Sequence, residues 1–259
     1  MRATAADARP ADRGLASLIE AFRRVARLSE GGAIEEHDNV ISIANGMPVP
    51  AFNPTIVVRP PRDPAGAMQR VRDFYTRRGL AGEVWAWDDA ADAIADTATG
   101  AGLVAGHPIP CLLLAPLASK VAMAPDLKVR RVDDAATLLR FNDVCAEVFG
   151  LEREVIAALD EPWLLELPGS ALHLGFVDGA PVATAWSYAI DGVALVFNVA
   201  TLDGHRRRGI GEAMTWHALQ GGREHGCDVA FLQSSAVGRR LYERMGFGHV
   251  VDMQTWSLP

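Results

Sequence analysis

The sequence predicts an α/β fold of the α+β kind, in two halves that each set a mixed, mostly antiparallel twisted sheet against helices. Three observations carry this expectation. Stretches with apolar residues at helical spacing interleave with short apolar or alternating runs along the whole chain. Asp178-Gly179 and Asp191-Gly192 stand between strand-like runs, where antiparallel hairpins turn. The pattern also restarts past the middle: Phe52-Asn53 recurs as Phe197-Asn198, an offset of 145, and at that offset Val84 falls on Val229. Both halves then run through helix, strand, helix and an apolar last strand, and this shared order argues for an internal repeat more strongly than the dipeptides do.

In the first half a helix is expected over residues 14–28, with Leu15, Leu18, Ile19, Phe22 and Val25 on one face and Gly31-Gly32 ending it. Extended segments follow at 40–44 and 55–58, in a region where Pro48, Pro50, Pro54, Pro60 and Pro61 exclude helix. Asp63 is a natural N-cap for a helix to residue 78, closed by Gly79. A strand at 83–87, a helix at 89–99 and a strand at 109–114 complete this half. Residues 118–126 read as a linker, so the domains are expected at 1–120 and 121–259. The second half opens with a strand at 128–132 and a helix from the N-cap Asp134 to 149, then a helix at 152–159. Strands at 171–177, 182–189 and 193–201 precede a helix at 209–224, a strand at 229–233, a helix at 236–245 and a strand at 250–256.

A chain of 259 residues buries a full core without a disulfide or metal staple, and 49% hydrophobic with 22% charged residues is ordinary for a soluble globular protein. Residues 3–10 are small and polar and read as a loose N-terminus. The net charge of -7 argues against a nucleic-acid partner. Cys111, Cys145 and Cys227 stand apart without metal-ligand spacing, which reads as buried free thiols and no metal. No secretory signal opens the chain and no apolar run is long enough to span a bilayer, so a soluble cytoplasmic protein without a membrane partner is expected.

The chemistry concentrates in Arg206-Arg207-Arg208-Gly209-Ile210-Gly211. Arg-x-x-Gly-x-Gly alone is a weak signal, and a turn with solvated arginines would produce it. Its context is stronger: a strand feeds the segment and a helix begins inside it. Backbone N–H groups then converge at a helix N-terminus carrying roughly half a positive charge. Gly209 and Gly211 allow close approach of a phosphate, and Arg206 and Arg208 can add charge-assisted bonds. The result is a pyrophosphate site. It is neither a P-loop, since no Gly-Lys-Ser/Thr follows, nor a dinucleotide fingerprint, since the third glycine is missing.

With Val199-Ala200-Thr201 before it, this segment resembles the acetyl-coenzyme A motif of the GNAT (GCN5-related) N-acetyltransferases. Leu232 to Phe247, ending Tyr242-Glu243-Arg244-Met245-Gly246-Phe247, resembles the family's second segment. The resemblance covers about residues 128–259 and implies tandem GNAT-like folds, of which the first is degenerate. It implies acetyl-coenzyme A as co-substrate, with the pantetheine arm beside the backbone of Val199, Ala200 and Thr201. The pyrophosphate would lie on Arg206, Arg207, Arg208, Gly209, Ile210 and Gly211, and Ser235 and Arg239 would complete the binding set. It also implies Tyr242 as the acid that protonates the leaving thiolate. The acidic residue that several family members carry on the central strand is Leu195 here, which leaves the base open among Glu147, His173, Asp191 and water.

The first half has Arg59-Pro60-Pro61-Arg62-Asp63-Pro64 where the loop would fall, and three prolines remove three N–H donors. That half is expected not to bind coenzyme A. The expected activity is acetyl transfer to a primary amine, foremost of a small molecule, with a peptide or protein amine as the substrate alternative. A non-enzymatic acetyl-coenzyme A sensor is the reading from another class. A homodimer stands as a further partner expectation, which the residues themselves do not decide.

Overall fold

The computed structural model describes residues 9–117, 124–160 and 163–258. The expected loose start, at residues 3–8, and most of the expected linker, at 118–123, lie outside the described residues.

The chain runs α1 (Pro10–Leu28), β1 (Ala33–His37), β2 (Val40–Ala44), β3 (Pro54–Val57), α2 (Pro64–Thr76), β4 (Glu83–Ala86), α3 (Asp88–Gly100), β5 (Val104–Ala105) and β6 (Ile109–Leu114). It continues with β7 (Lys128–Arg131), α4 (Ala135–Phe149), α5 (Arg153–Ile156), α6 (Trp163–Glu166), β8 (Ser170–Val177), β9 (Ala180–Ile190) and β10 (Val193–Thr201). Last come α7 (Ile210–Glu224), β11 (Val229–Gln233), α8 (Arg239–Arg244) and β12 (Gly248–Ser257). The fold class is the expected one, a mixed and mostly antiparallel sheet with flanking helices.

Local chemistry explains the boundaries. Asp63 and Asp134 cap α2 and α4 by accepting from the N–H groups of Gly66 and Thr137. Gly150, left-handed at φ 65°, stops α4. Asp178-Gly179 and Asp191-Gly192 take positive φ in succession, the two-residue hairpin turn expected at both places. Asp38-Asn39 makes the same turn between β1 and β2, and the polar sequence Ala33–His37 hid β1. Only α5 and a following 3-10 turn, Ala157–Leu159, occupy the expected helix at 152–159. α8 begins at Arg239, not 236, because the Ser235 side chain caps a turn at Gly238.

The chain folds into two compact units, and neither is one continuous stretch. The first holds the chain up to Leu18 together with residues 112–249; the second holds 19–111 and everything from Val250 on. In the first unit the strand order is β6-β11-β10-β9-β8-β7, with β10–β11 parallel and β10–β9–β8–β7 antiparallel. In the second the order is β1-β2-β3-β4-β12, with β3–β4 parallel and β12 antiparallel to β4 and to β5. The expected cut at residues 120 and 121 is therefore corrected: β6 lies beside β11, and β12 completes the sheet of the 19–111 unit. Consecutive strands usually pair but need not, so linear order alone does not fix which sheet a terminal strand joins.

Each unit contains an antiparallel pair followed by a parallel strand reached through one helix: β2, β3, α2, β4 in one and β9, β10, α7, β11 in the other. In the first unit α7 and α4 cover opposite faces of the sheet. Gly222 on α7 lies so close to Ala194 that a Cβ would meet it at 2.3 Å, and Gly221 lies over Ala171 and Ser187. Cys145 on α4 reaches Thr184, which points to the other face of β9 by the alternation of strand side chains.

Candidate active site

Within the first unit, β10 and β11 pair only through Val193–Val229, Ala194–Ala230 and Leu195–Phe231. Beyond Leu195 the strand goes on to Thr201 with β9 as its partner, so β10 and β11 part company. At that point β10 carries a bulge: Phe197 faces Trp186 and Ala200 faces Thr184, so Ala185 lies opposite both Asn198 and Val199. Asn198 takes a left-handed φ of 50°, an uncommon state for a residue with a Cβ. Its carbonyl accepts a 2.7 Å bond from the Thr184 hydroxyl. The gap beside Val199, Ala200 and Thr201 thus follows from an interrupted ladder and one extra residue.

The loop after Thr201 makes a 3-10 turn at Asp203–His205 and enters α7 through Gly209. Arg207 and Gly209 both have positive φ, 61° and 77°, which folds the backbone N–H groups into a concave nest. Ala213 N–H is bonded back to Gly209 O at 3.0 Å, so Ile210, Gly211 and Glu212 are the first-turn amides of α7. A Cβ on Gly209 would meet nothing within 4 Å, so the space in front of the turn is open. On Gly211 a Cβ would come to 3.4 Å from Leu241 Cδ2, so this glycine fits the first turn of α7 against α8.

The arginines are engaged locally. Arg206 donates Nε–H to Thr201 O at 3.0 Å and pairs with Asp203 at 2.8 Å; Arg208 lies 3.3 Å from His205 Nδ1 and 3.9 Å from Asp126. These surface pairs are weak and can yield to a phosphate, which accepts from a guanidinium more strongly. Ser235 Oγ accepts from Gly238 N–H at 3.1 Å, and Arg239 pairs with Glu243 at 2.8 Å.

Tyr242 lies on α8 with its ring edge-on to Phe247 at 5.7 Å, largely buried. Its phenol pKa is pushed up to about 12 by burial, an effect opposed by a hydrogen bond with the Thr215 side chain. Thr215 donates to Gly211 O at 2.8 Å. Thr215 was not apparent from the motif pattern: it lies in the second turn of α7, and only the packing of α8 on α7 brings it to Tyr242.

The candidate bases scatter. Leu195 is buried. His173 lies under α7, near Gly221, with its pKa pushed down to about 4 by burial and by His217 and Arg131. Asp191 is in the β9–β10 turn, at the opposite end of β10 from Thr201. Glu147 stands exposed on α4. None of the three is at the bulge.

In the second unit the corresponding place is closed. Asn53, fully buried, donates to Met47 O at 2.6 Å and Ala81 O at 2.9 Å and accepts from Asn45 N–H at 2.9 Å. Glu83 N–H reaches Asn53 O at 3.2 Å and pairing of β3 with β4 starts at Pro54, so no gap opens between these strands.

Residues 138–247 match the model of the acetyltransferase (GNAT) family. Among solved structures, a GCN5-related N-acetyltransferase from Kribbella flavida has a TM-score of 0.74 at 22% identity, over 95% of this chain and 96% of its own. One from Sphaerobacter thermophilus scores 0.62 at 16% identity, over 99% and 93%. A tandem GNAT protein from the clavulanic acid biosynthesis pathway scores 0.59 at 12% identity, over 88% and 78%. These likenesses establish the fold. No curated protein matches the sequence. No described helix is long and apolar enough to cross a membrane.

Proposed function

We propose that the chain is an acetyl-coenzyme A-dependent N-acetyltransferase whose acceptor is a primary amine of a small molecule. The observation that carries this is the parting of β10 from β11 directly before the nest at the start of α7. The first offers strand-like backbone groups to an amide-bearing arm, the second converging N–H groups to a pyrophosphate. In this reading Val199, Ala200 and Thr201 hold the pantetheine and Arg206 to Gly211 the pyrophosphate, with Ser235 and Arg239 at the rim.

The neutral amine attacks the thioester carbonyl carbon and forms the C–N bond. The carbonyl oxygen gains charge and takes a hydrogen bond from the Val199 N–H. The C–S bond then breaks, the electron pair leaves on sulfur, and Tyr242 supplies the proton of the free thiol. The surplus amine proton passes to water and the phenolate is reprotonated from solvent. A phenol raised to about 12 carries its proton at neutral pH. The closed counterpart in the 19–111 unit supports one coenzyme A site per chain.

The test is thiol release from acetyl-coenzyme A against a panel of amines comprising polyamines, aminoglycosides, amino acids and short peptides. Turnover with one small amine, and none with peptides, is the expected result. Coenzyme A binding without turnover on any amine would favour a sensor instead.

A further inference from the structure

The bulge in β10 is held by a contact that the motif does not contain. Asn198 has a left-handed φ of 50° without being glycine, which carries a steric cost. Its carbonyl is met at 2.7 Å by the hydroxyl of Thr184, a side chain with no exposed surface. Thr184 Oγ1 lies in turn 3.5 Å from Cys145 Sγ on α4. Since the threonine proton goes to Asn198 O, the thiol donates to Thr184. Burial pushes the Cys145 pKa up to about 12, so this thiol keeps the proton it donates. The relay runs Cys145 to Thr184 to Asn198 O.

A trans peptide is planar, with its C=O and N–H on opposite sides. Fixing the Asn198 carbonyl on Thr184 therefore turns the Val199 N–H away from β9, toward the edge where β10 has lost β11. We propose that Thr184 is a positioning residue for acetyl transfer: its hydroxyl orients the 198–199 peptide so that the Val199 N–H faces the thioester oxygen. This rests on the acetyl-coenzyme A reading above and adds to it the residue that aims the donor. Thr184 touches no reacting atom and acts through the backbone. Nothing in the sequence marked it, because a threonine on a half-polar strand is ordinary.

The experiment compares the wild type with Thr184→Val, which keeps the shape without the hydroxyl, and Thr184→Ser, which keeps the hydroxyl. Three readouts are needed: affinity for coenzyme A by calorimetry, the infrared band of carbon-13-labelled acetyl-coenzyme A bound to the protein, and kcat with KM in thiol release. In the wild type the thioester carbonyl band should lie below its position in buffer. Thr184→Val should return it toward the buffer position and lower kcat about 10- to 100-fold, with coenzyme A affinity within about threefold of the wild type. Thr184→Ser should restore the band and most of kcat. An unchanged band and kcat in Thr184→Val would overturn the inference. So would a loss of coenzyme A affinity equal to the loss of kcat, or a Thr184→Ser protein that behaves like Thr184→Val. A wild type that binds no coenzyme A would instead refute the underlying reading; that result is separable, since it precedes any comparison of variants.

Discussion

At the scale of single residues, Tyr242 and His173 show how one environment serves different ends. Tyr242 is buried and His173 mostly so, and desolvation disfavours the charged form of each: the phenol is raised to about 12 and the imidazole lowered to about 4. For Tyr242 this keeps the phenol neutral. Tyr242→Phe should lower turnover about 10- to 10⁴-fold while coenzyme A affinity by calorimetry stays nearly unchanged. Equal losses in both would mean that the ring matters only as core. For His173 the consequence is stability. Its folded pKa lies below the unfolded value of about 6.5, so between those two pH values the unfolded chain binds more protons. Stability is complete above about pH 6.5 and falls as the pH drops toward 4, by roughly 3 kcal/mol for a shift of this size. His217, also lowered by burial, acts in the same direction. Denaturant unfolding at pH 7 and pH 4.5 should show that loss, and His173→Gln should reduce it; an undiminished loss in the variant would assign it to other groups.

Among elements, α7 and α1 carry the sharpest consequences. Gly209 opens α7 at φ 77° with free space before it. Aspartate there would fit sterically at a backbone cost of about 1 kcal/mol, but it would set a carboxylate against the pyrophosphate. Gly209→Asp should abolish coenzyme A binding in calorimetry with little change in melting temperature, and unchanged binding would remove the phosphate assignment. The start of α1 docks on the first unit through Arg13, bonded to Asp228 at 2.7 and 3.2 Å, and through Ser17, which donates to Ile190 O at 3.2 Å. Between them Gly14 lies on Phe231, where a Cβ would come within 2.3 Å of the ring. Gly14→Ala should therefore destabilise the protein by about 1–3 kcal/mol despite the better helix propensity of alanine. A more stable variant in urea unfolding would show that the ring gives way freely.

For the whole molecule, the governing fact is that sequence halves and compact units differ. The last strand, β12, pairs with β4 from Gln254–Ala86 to Ser257–Glu83 and covers the sheet of the 19–111 unit. Removing residues 250–259 should expose the β4 edge and lower the hydrogen-exchange protection of its amides, residues 83–86. The parallel β10–β11 amides, in the other unit, should keep theirs. Equal loss in both sets would contradict the division into units.

Much of this was legible in the amino-acid sequence because it depends on neighbours. Helix caps at Asp63 and Asp134, the Asp-Gly turns, the open first turn at Gly209 and the prolines near residue 60 act over a few residues, and local pattern specifies them. The turn proposed to hold the pyrophosphate falls in this group, since glycine at the start of a helix is a local signal. Other features depend on which surfaces meet. The exchange of β6 and β12, Thr215 beside Tyr242, Thr184 beneath the bulge and Asn53 closing the other gap all join residues distant in sequence. Pairing energy is set by edge complementarity and burial, to which chain order contributes only through the slowly growing entropy of loop closure. The sequence by itself therefore determined the glycine turn that opens α7, while the tertiary structure decided which sheet each terminal strand joins and which hydroxyl meets the Asn198 carbonyl at the bulge.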